Sequence, residues 1–124
     1  MQDFDAIRGL ATKYFDALYD GDIPVMLEIF HPRSRLHVIL DGKLVEIEFE
    51  PYMELVSKRA SPRSQKAERA DQLTSIQQST ATTAILIESL LLAGKSYTDH
   101  LSLIKDDGRW QIISKVYHLN NPQG

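Results

Sequence analysis

The stretch DQLTSIQQSTATTAILIESLLLAGKSYTDHLSLIKDDGRWQIISKVYHL, residues 71–119, constrains the fold more than any other part of the chain. Apolar and β-branched residues alternate with polar ones in four runs, at 71–79, 82–93, 95–105 and 109–119. Short turn signals separate them: ST at 79–80, AGK at 93–95 and DDG at 106–108. Period-two runs broken by Gly- and Asp-bearing turns read as an antiparallel meander.

The first half reads differently. Phe4, Ile7, Ala11, Tyr14, Phe15 and Leu18 recur at helical spacing and predict a helix over 4–20. Asp3 is placed to cap its start and Gly21 to end it in the left-handed conformation. Asp22 caps a second, shorter helix with Pro24 in its first turn, and Pro32 stops that helix at His31. SRLHVIL and KLVEIEF flank the hairpin signal DG at 41–42. PYMELVSKRA predicts a third helix, and the charged run SPRSQKAERAD a mobile loop. Helices, a hairpin, a helix and a meander give an α+β class, with three helices on one face of a curved, mostly antiparallel six-stranded sheet. With 124 residues the chain is expected to form one domain, 1–124.

Composition narrows the function. Hydrophobic residues make up 43% and charged residues 25%, as in ordinary globular proteins. A net charge of −3 gives no broad attraction to nucleic acid or anionic membrane. The start, MQDFDAIRGL, is not read as a signal peptide, and the longest apolar run, AILIESLLLAG, is short and holds Glu88. The lack of cysteine excludes thiolate chemistry and fits a cytoplasmic location. No Gly-rich phosphate loop, nucleophile elbow or tight metal-ligand spacing is present, although His31, His37, His100 and His118 supply four imidazoles. No metal and no cofactor are expected.

Strand parity organises the remaining candidates. Ser96, Thr98, His100 and Ser102 share one face of their strand; Tyr97, Asp99, Leu101 and Leu103 share the other. The face with His100 either meets water or lines a polar interior. On the last strand Trp110, Ile112, Ser114, Val116 and His118 oppose Gln111, Ile113, Lys115 and Tyr117. The strand 82–93 is apolar on both faces, which leaves one face for a partner and suggests a homodimer. The run KRASPRSQKAER offers Lys58, Arg59, Arg63, Lys66 and Arg69 as a solvated loop, or as an anion-capturing rim.

The order α-α-β-β-α-β-β-β-β, with YFDALYDGDIPVMLEIFHPRSRL, the DG hairpin, YTDHLSLIK and DGRWQIISKVYH, resembles the nuclear transport factor 2-like superfamily, a cone-shaped fold. Within it the chain is most similar to the bacterial group labelled "putative lumazine-binding". The ketosteroid isomerases of the same superfamily use a tyrosine, a protonated aspartic acid and a carboxylate base. Laid on that pattern without gaps, the tyrosine falls on Tyr14, the acid on His100 and the base on Val38, which has no carboxylate. A one-residue shift in register would bring in Asp99 and His37 instead of His100 and Val38.

The resemblance implies a small apolar or aromatic ligand held by Tyr14, Val38, Tyr52, His100, Lys115 and Tyr117. It also implies an alternative, an isomerase, dehydratase or cyclase with His100 as general acid or base and Tyr14 polarising a carbonyl. A third reading is a non-catalytic dimerisation module.

Overall fold

The computed structural model describes residues 3–92 and 94–120. Three helices, α1 (Phe4–Asp20), α2 (Ile23–Ile29) and α3 (Phe49–Lys58), accompany six strands. The strands are β1 (Phe30–Leu40), β2 (Lys43–Glu48), β3 (Arg69–Gln78), β4 (Thr83–Leu92), β5 (Lys95–Asp106) and β6 (Arg109–Leu119). They form one sheet in the order β2-β1-β6-β5-β4-β3. Every neighbouring pair is antiparallel except β1 and β6, which run parallel. The helices cover one face of this sheet and leave the other open.

Local chemistry sets the boundaries. Gly21 ends α1 at φ 66°, and its backbone N–H donates to the Ala17 carbonyl. A Cβ there would also meet Ser61 Cβ at 3.1 Å. Asp22 caps α2 by accepting from the Val25 amide at 3.3 Å. Asp3 makes no capping bond; its carboxylate accepts instead from Lys105 Nζ at 3.2 Å, tying the start of α1 to β5. Asp41 and Gly42 both have positive φ, 52° and 77°, as a two-residue hairpin turn requires. Helix α2 stops at Ile29, two residues earlier than Pro32 requires, because the chain enters β1 at Phe30.

The charged run is not the mobile loop that its composition suggests. Arg63 pairs with Asp20, and Arg69 with Asp16 and Asp71, while both guanidinium groups lie over the Tyr19 ring. The Tyr19 hydroxyl donates to the Ala67 carbonyl at 2.6 Å. These contacts fasten 61–71 to the end of α1.

The core fills the concave side. Ile7, Leu10, Tyr14 and Leu18 of α1 and Met26 and Ile29 of α2 meet Leu36, Leu86, Leu101, Leu103 and Ile112 of the sheet. On β5 the alternation is as the sequence predicts, but the inward face is the one with Leu101 and Leu103, 0% and 2% exposed. Burying a leucine stabilises by roughly 1.5–3 kcal/mol, so two of them decide which face turns inward. Asp99 goes in with them and His100 goes out.

A bulge corrects the expected pattern on β6. Ser102 pairs with Ser114 but Leu103 pairs with Ile112, so Ile113 is an extra residue on β6. Lys115 and Tyr117 face inward as expected, whereas Ile112 rather than Ile113 joins the core.

Candidate functional site

Five polar side chains converge inside this apolar shell. Tyr14 comes from α1, Tyr52 from α3, Glu88 from β4, Asp99 from β5 and Lys115 from β6. Their exposures are 0%, 5%, 0%, 1% and 6%. Sheet register brings three of them together. Glu88 pairs with Asp99, Asp99 pairs with Tyr117, and Lys115 lies one row further along the inward face.

Tyr14 donates its hydroxyl proton to Asp99 Oδ2 in a short hydrogen bond. Lys115 Nζ stands 3.9 Å from the same oxygen and donates to the Tyr52 hydroxyl at 3.4 Å. The ammonium also lies 4.9–5.3 Å from the ring centroids of Tyr14, Tyr52 and Tyr117, an aromatic enclosure for a cation. Asp99 Oδ1 and both Glu88 oxygens are buried without a hydrogen-bond partner.

Burial controls the protonation states. It pushes the Glu88 carboxyl up to about 8, with the neighbouring Asp99 adding to the shift and Lys115 opposing it. Tyr14 is held well above the ordinary phenol value, first by burial and then by Asp99, so it remains a donor. Burial would lower the Lys115 ammonium, but the oxygens of Tyr52, Asp99 and Tyr117 outweigh it and hold it above the ordinary lysine value. Tyr97 and Tyr117, half-buried with ring centroids 6.2 Å apart, stand beside this cluster, and burial raises both phenols.

The sequence-derived candidates divide cleanly. Tyr14, Val38, Tyr52, Lys115 and Tyr117 face the concave side; Val38 is 2% exposed. His100 is corrected: it is exposed on the open face, and Tyr14 takes Asp99 as its partner instead. His100 therefore cannot act with Tyr14 on one ligand. The one-residue shift holds for β5 but not for β1. There Val38 stays inside and His37 faces outward, with Nε2 3.6 Å from Glu46 Oε2. Parity is set strand by strand, by each strand's own apolar residues.

Glu88 is the residue that sequence reasoning missed. Its signal was a lone acid in AILIESLLL, on the parity of Leu86 and Leu90. Counting outward from the AGK turn places it opposite Asp99.

On the open face His37, His100 and His118 surround Val116 in a groove of about 280 Å³, with Ile39 and Leu44. Among the described residues no group of three or more His, Asp or Glu side chains is arranged to hold a metal ion. No helix of the described residues is long and apolar enough to cross a membrane.

The fold is similar to that of known proteins. A crystal structure of an NTF-2 like protein of unknown function from Silicibacter pomeroyi DSS-3 superposes at TM-score 0.84, with 22% identity over 96% of this chain and 97% of that one. A ketosteroid isomerase-like protein from Erwinia carotovora atroseptica SCRI1043 does so at 0.74, with 15% identity and 98% of each chain covered. A curated protein, the aldolase FrzH of Cladobotryum sp, is 28% identical over 118 residues, covering 94% of this chain and 90% of its own. The fold is thus that of the NTF2-like structures; residues 2–118 match the family described as "putative lumazine-binding", and the chain belongs to that family.

Proposed function

We propose that the protein binds a small ring compound on its concave side, with a ligand carbonyl oxygen accepting from Lys115 Nζ and the Tyr52 hydroxyl. The observation that carries this reading is the buried ammonium of Lys115. It has three donors, and beside the three aromatic rings its hydrogen-bonding contacts are one long bond to Tyr52 and a 3.9 Å approach to Asp99. A buried ammonium so thinly bonded is costly unless something else accepts from it. Tyr14, Tyr52, Tyr97 and Tyr117 supply ring faces for an apolar or aromatic body. The family description, which names lumazine, a carbonyl-bearing ring, supports the same ligand class.

The test is chemical-shift perturbation with cyclohexanone as the probe. Shifts should cluster on Tyr52, Tyr97, Lys115 and Tyr117, and should weaken at least fivefold in Lys115→Met and Tyr52→Phe. Shifts confined to the open sheet face would reject this site.

The similarity to an aldolase favours a catalytic version of the reading, in which the same donors stabilise an enolate oxygen. Lys115 would act there through its charge, because its neighbours hold it protonated. Exchange of the α-protons of cyclohexanone in D2O, faster with protein than in buffer, is the expected sign. Exchange at the buffer rate would leave binding alone.

A homodimer through the open face is a second reading. From Thr83 to Leu91 on β4, Ser96 to Ile104 on β5 and Ser114 to His118 on β6, the outward positions hold no Lys, Arg, Asp or Glu. Ile85 and Val116 are 44% and 49% exposed there. A second copy meets no like charges on such a surface, and a chain with 25% charged residues leaves such a patch bare only rarely. Light scattering should give twice the chain mass, and Val116→Glu should reduce it to one chain; a wild-type monomer at micromolar concentration rejects the dimer.

A further inference from the structure

Resting on the carbonyl-ligand reading above, we propose that the ligand also carries a protonated amine, seated between the carboxyl groups of Glu88 and Asp99. Three buried acceptor oxygens lack partners: both of Glu88 and Oδ1 of Asp99. Buried polar atoms are almost always satisfied, and the one proton of a neutral Glu88 cannot serve all three oxygens, so these orphans call for a further donor. The two residues are directly opposed across β4 and β5, where Cβ atoms lie about 4.5–5.5 Å apart. Yet neither carboxyl bonds the other. A donor placed between them would reach both.

Charge selects an amine among donors. The groups facing Glu88 are Asp71 from β3, Asp99 from β5, Lys115 from β6 and Tyr14 from α1. Asp71 is paired with Arg69, 2.7 Å away. Lys115 is then the one cation facing two carboxyls, and Asp99 takes its closest approach. Without ligand, Glu88 stays protonated, pushed up to about 8 by burial and by Asp99. An ammonium beside it would favour the ionised form, so the amine binds and the Glu88 proton leaves to solvent. Bound ammonium and Lys115 then balance the two carboxylates. A neutral hydroxyl could fill the same space but would leave Glu88 protonated.

Calorimetric titration of the whole chain with 4-aminocyclohexanone, cyclohexanone, 4-hydroxycyclohexanone and cyclohexylamine separates the possibilities. At pH 7, in buffers of different ionisation enthalpy, the aminoketone should bind at least tenfold more tightly than cyclohexanone and release close to one proton. Its affinity should rise roughly tenfold from pH 6 to pH 7, because the ionised fraction of Glu88 does. In Glu88→Gln the tenfold preference for the aminoketone over cyclohexanone and the proton release should vanish.

Equal affinity of the aminoketone and cyclohexanone overturns the proposal, as does equal affinity of the hydroxyketone and the aminoketone. Proton release that persists in Glu88→Gln also overturns it. The wild-type pH dependence stands without any variant, should Glu88→Gln fail to fold. If no ketone binds, the carbonyl reading fails by itself. Cyclohexylamine then decides the amine seat: binding with proton release supports it, and no binding overturns it.

Discussion

The hydroxyl of Tyr14 on α1 donates to Asp99 Oδ2 on β5, a buried bond between residues 85 positions apart. It joins the helix layer to the sheet at the centre of the polar cluster. The phenol is the hydrogen-bond donor that Asp99 has in the interior, beside an ammonium at 3.9 Å.

Removing that donor has a defined consequence. Tyr14→Phe keeps the ring contacts with Phe15 and Phe30 but leaves Asp99 without its bond. The expected loss is about 1–3 kcal/mol in urea unfolding at neutral pH, with an unchanged m-value. A loss under 0.3 kcal/mol would show that the bond contributes nothing net.

Glu88 makes stability depend on pH in an unusual direction. Its folded value is about 8 against an ordinary 4.5. Between those values the folded state holds a proton that the unfolded state has released. Stability therefore falls as pH rises from about 4.5 to about 8, by up to roughly 1.4 kcal/mol per unit and a few kcal/mol in all, and is level above that window. Glu88→Gln should flatten this slope and be more stable than wild type at pH 8.5. Parallel stability–pH curves for the two proteins would contradict the assignment.

Gly21 is a backbone requirement. Its φ of 66° and the Ser61 Cβ 3.1 Å from any added Cβ oppose a side chain from two directions. Gly21→Ala should cost more than about 1 kcal/mol, whereas Gly9→Ala, with nothing within 4 Å and a helical position, should gain up to roughly 1 kcal/mol. Thermal unfolding of the two variants gives opposite signs of shift.

His100 serves as the control. It is exposed on the open face, and a surface substitution there should change the stability of the chain by less than about 0.5 kcal/mol. His100→Ala should bind cyclohexanone as the wild type does. A fivefold loss would mean that the ligand sits on the other side of the sheet.

Most of the architecture was legible from residue patterns. The meander followed from four alternating runs and their turns. Helix α1 followed from a spacing that Gly21 ends where expected, and the fold followed from the order of elements. Those features are local, and local propensity and periodicity carry them.

The candidate site was legible only in part. Tyr14, Val38, Tyr52, Lys115 and Tyr117 could be named from sequence, but their relation could not. The alternation on β5 separated Asp99 from His100 without saying which faced the helices, because parity defines two faces and not an inside. Only packing chose, since Leu101 and Leu103 had to meet α1 and α2. The same choice carried Asp99 to Tyr14 and left His100 on the open face. Glu88 joined the buried polar cluster only when β4 and β5 paired and Asp99 stood opposite it. A buried carboxyl held near 8 depends on what surrounds it in space, and most of those neighbours are distant in sequence.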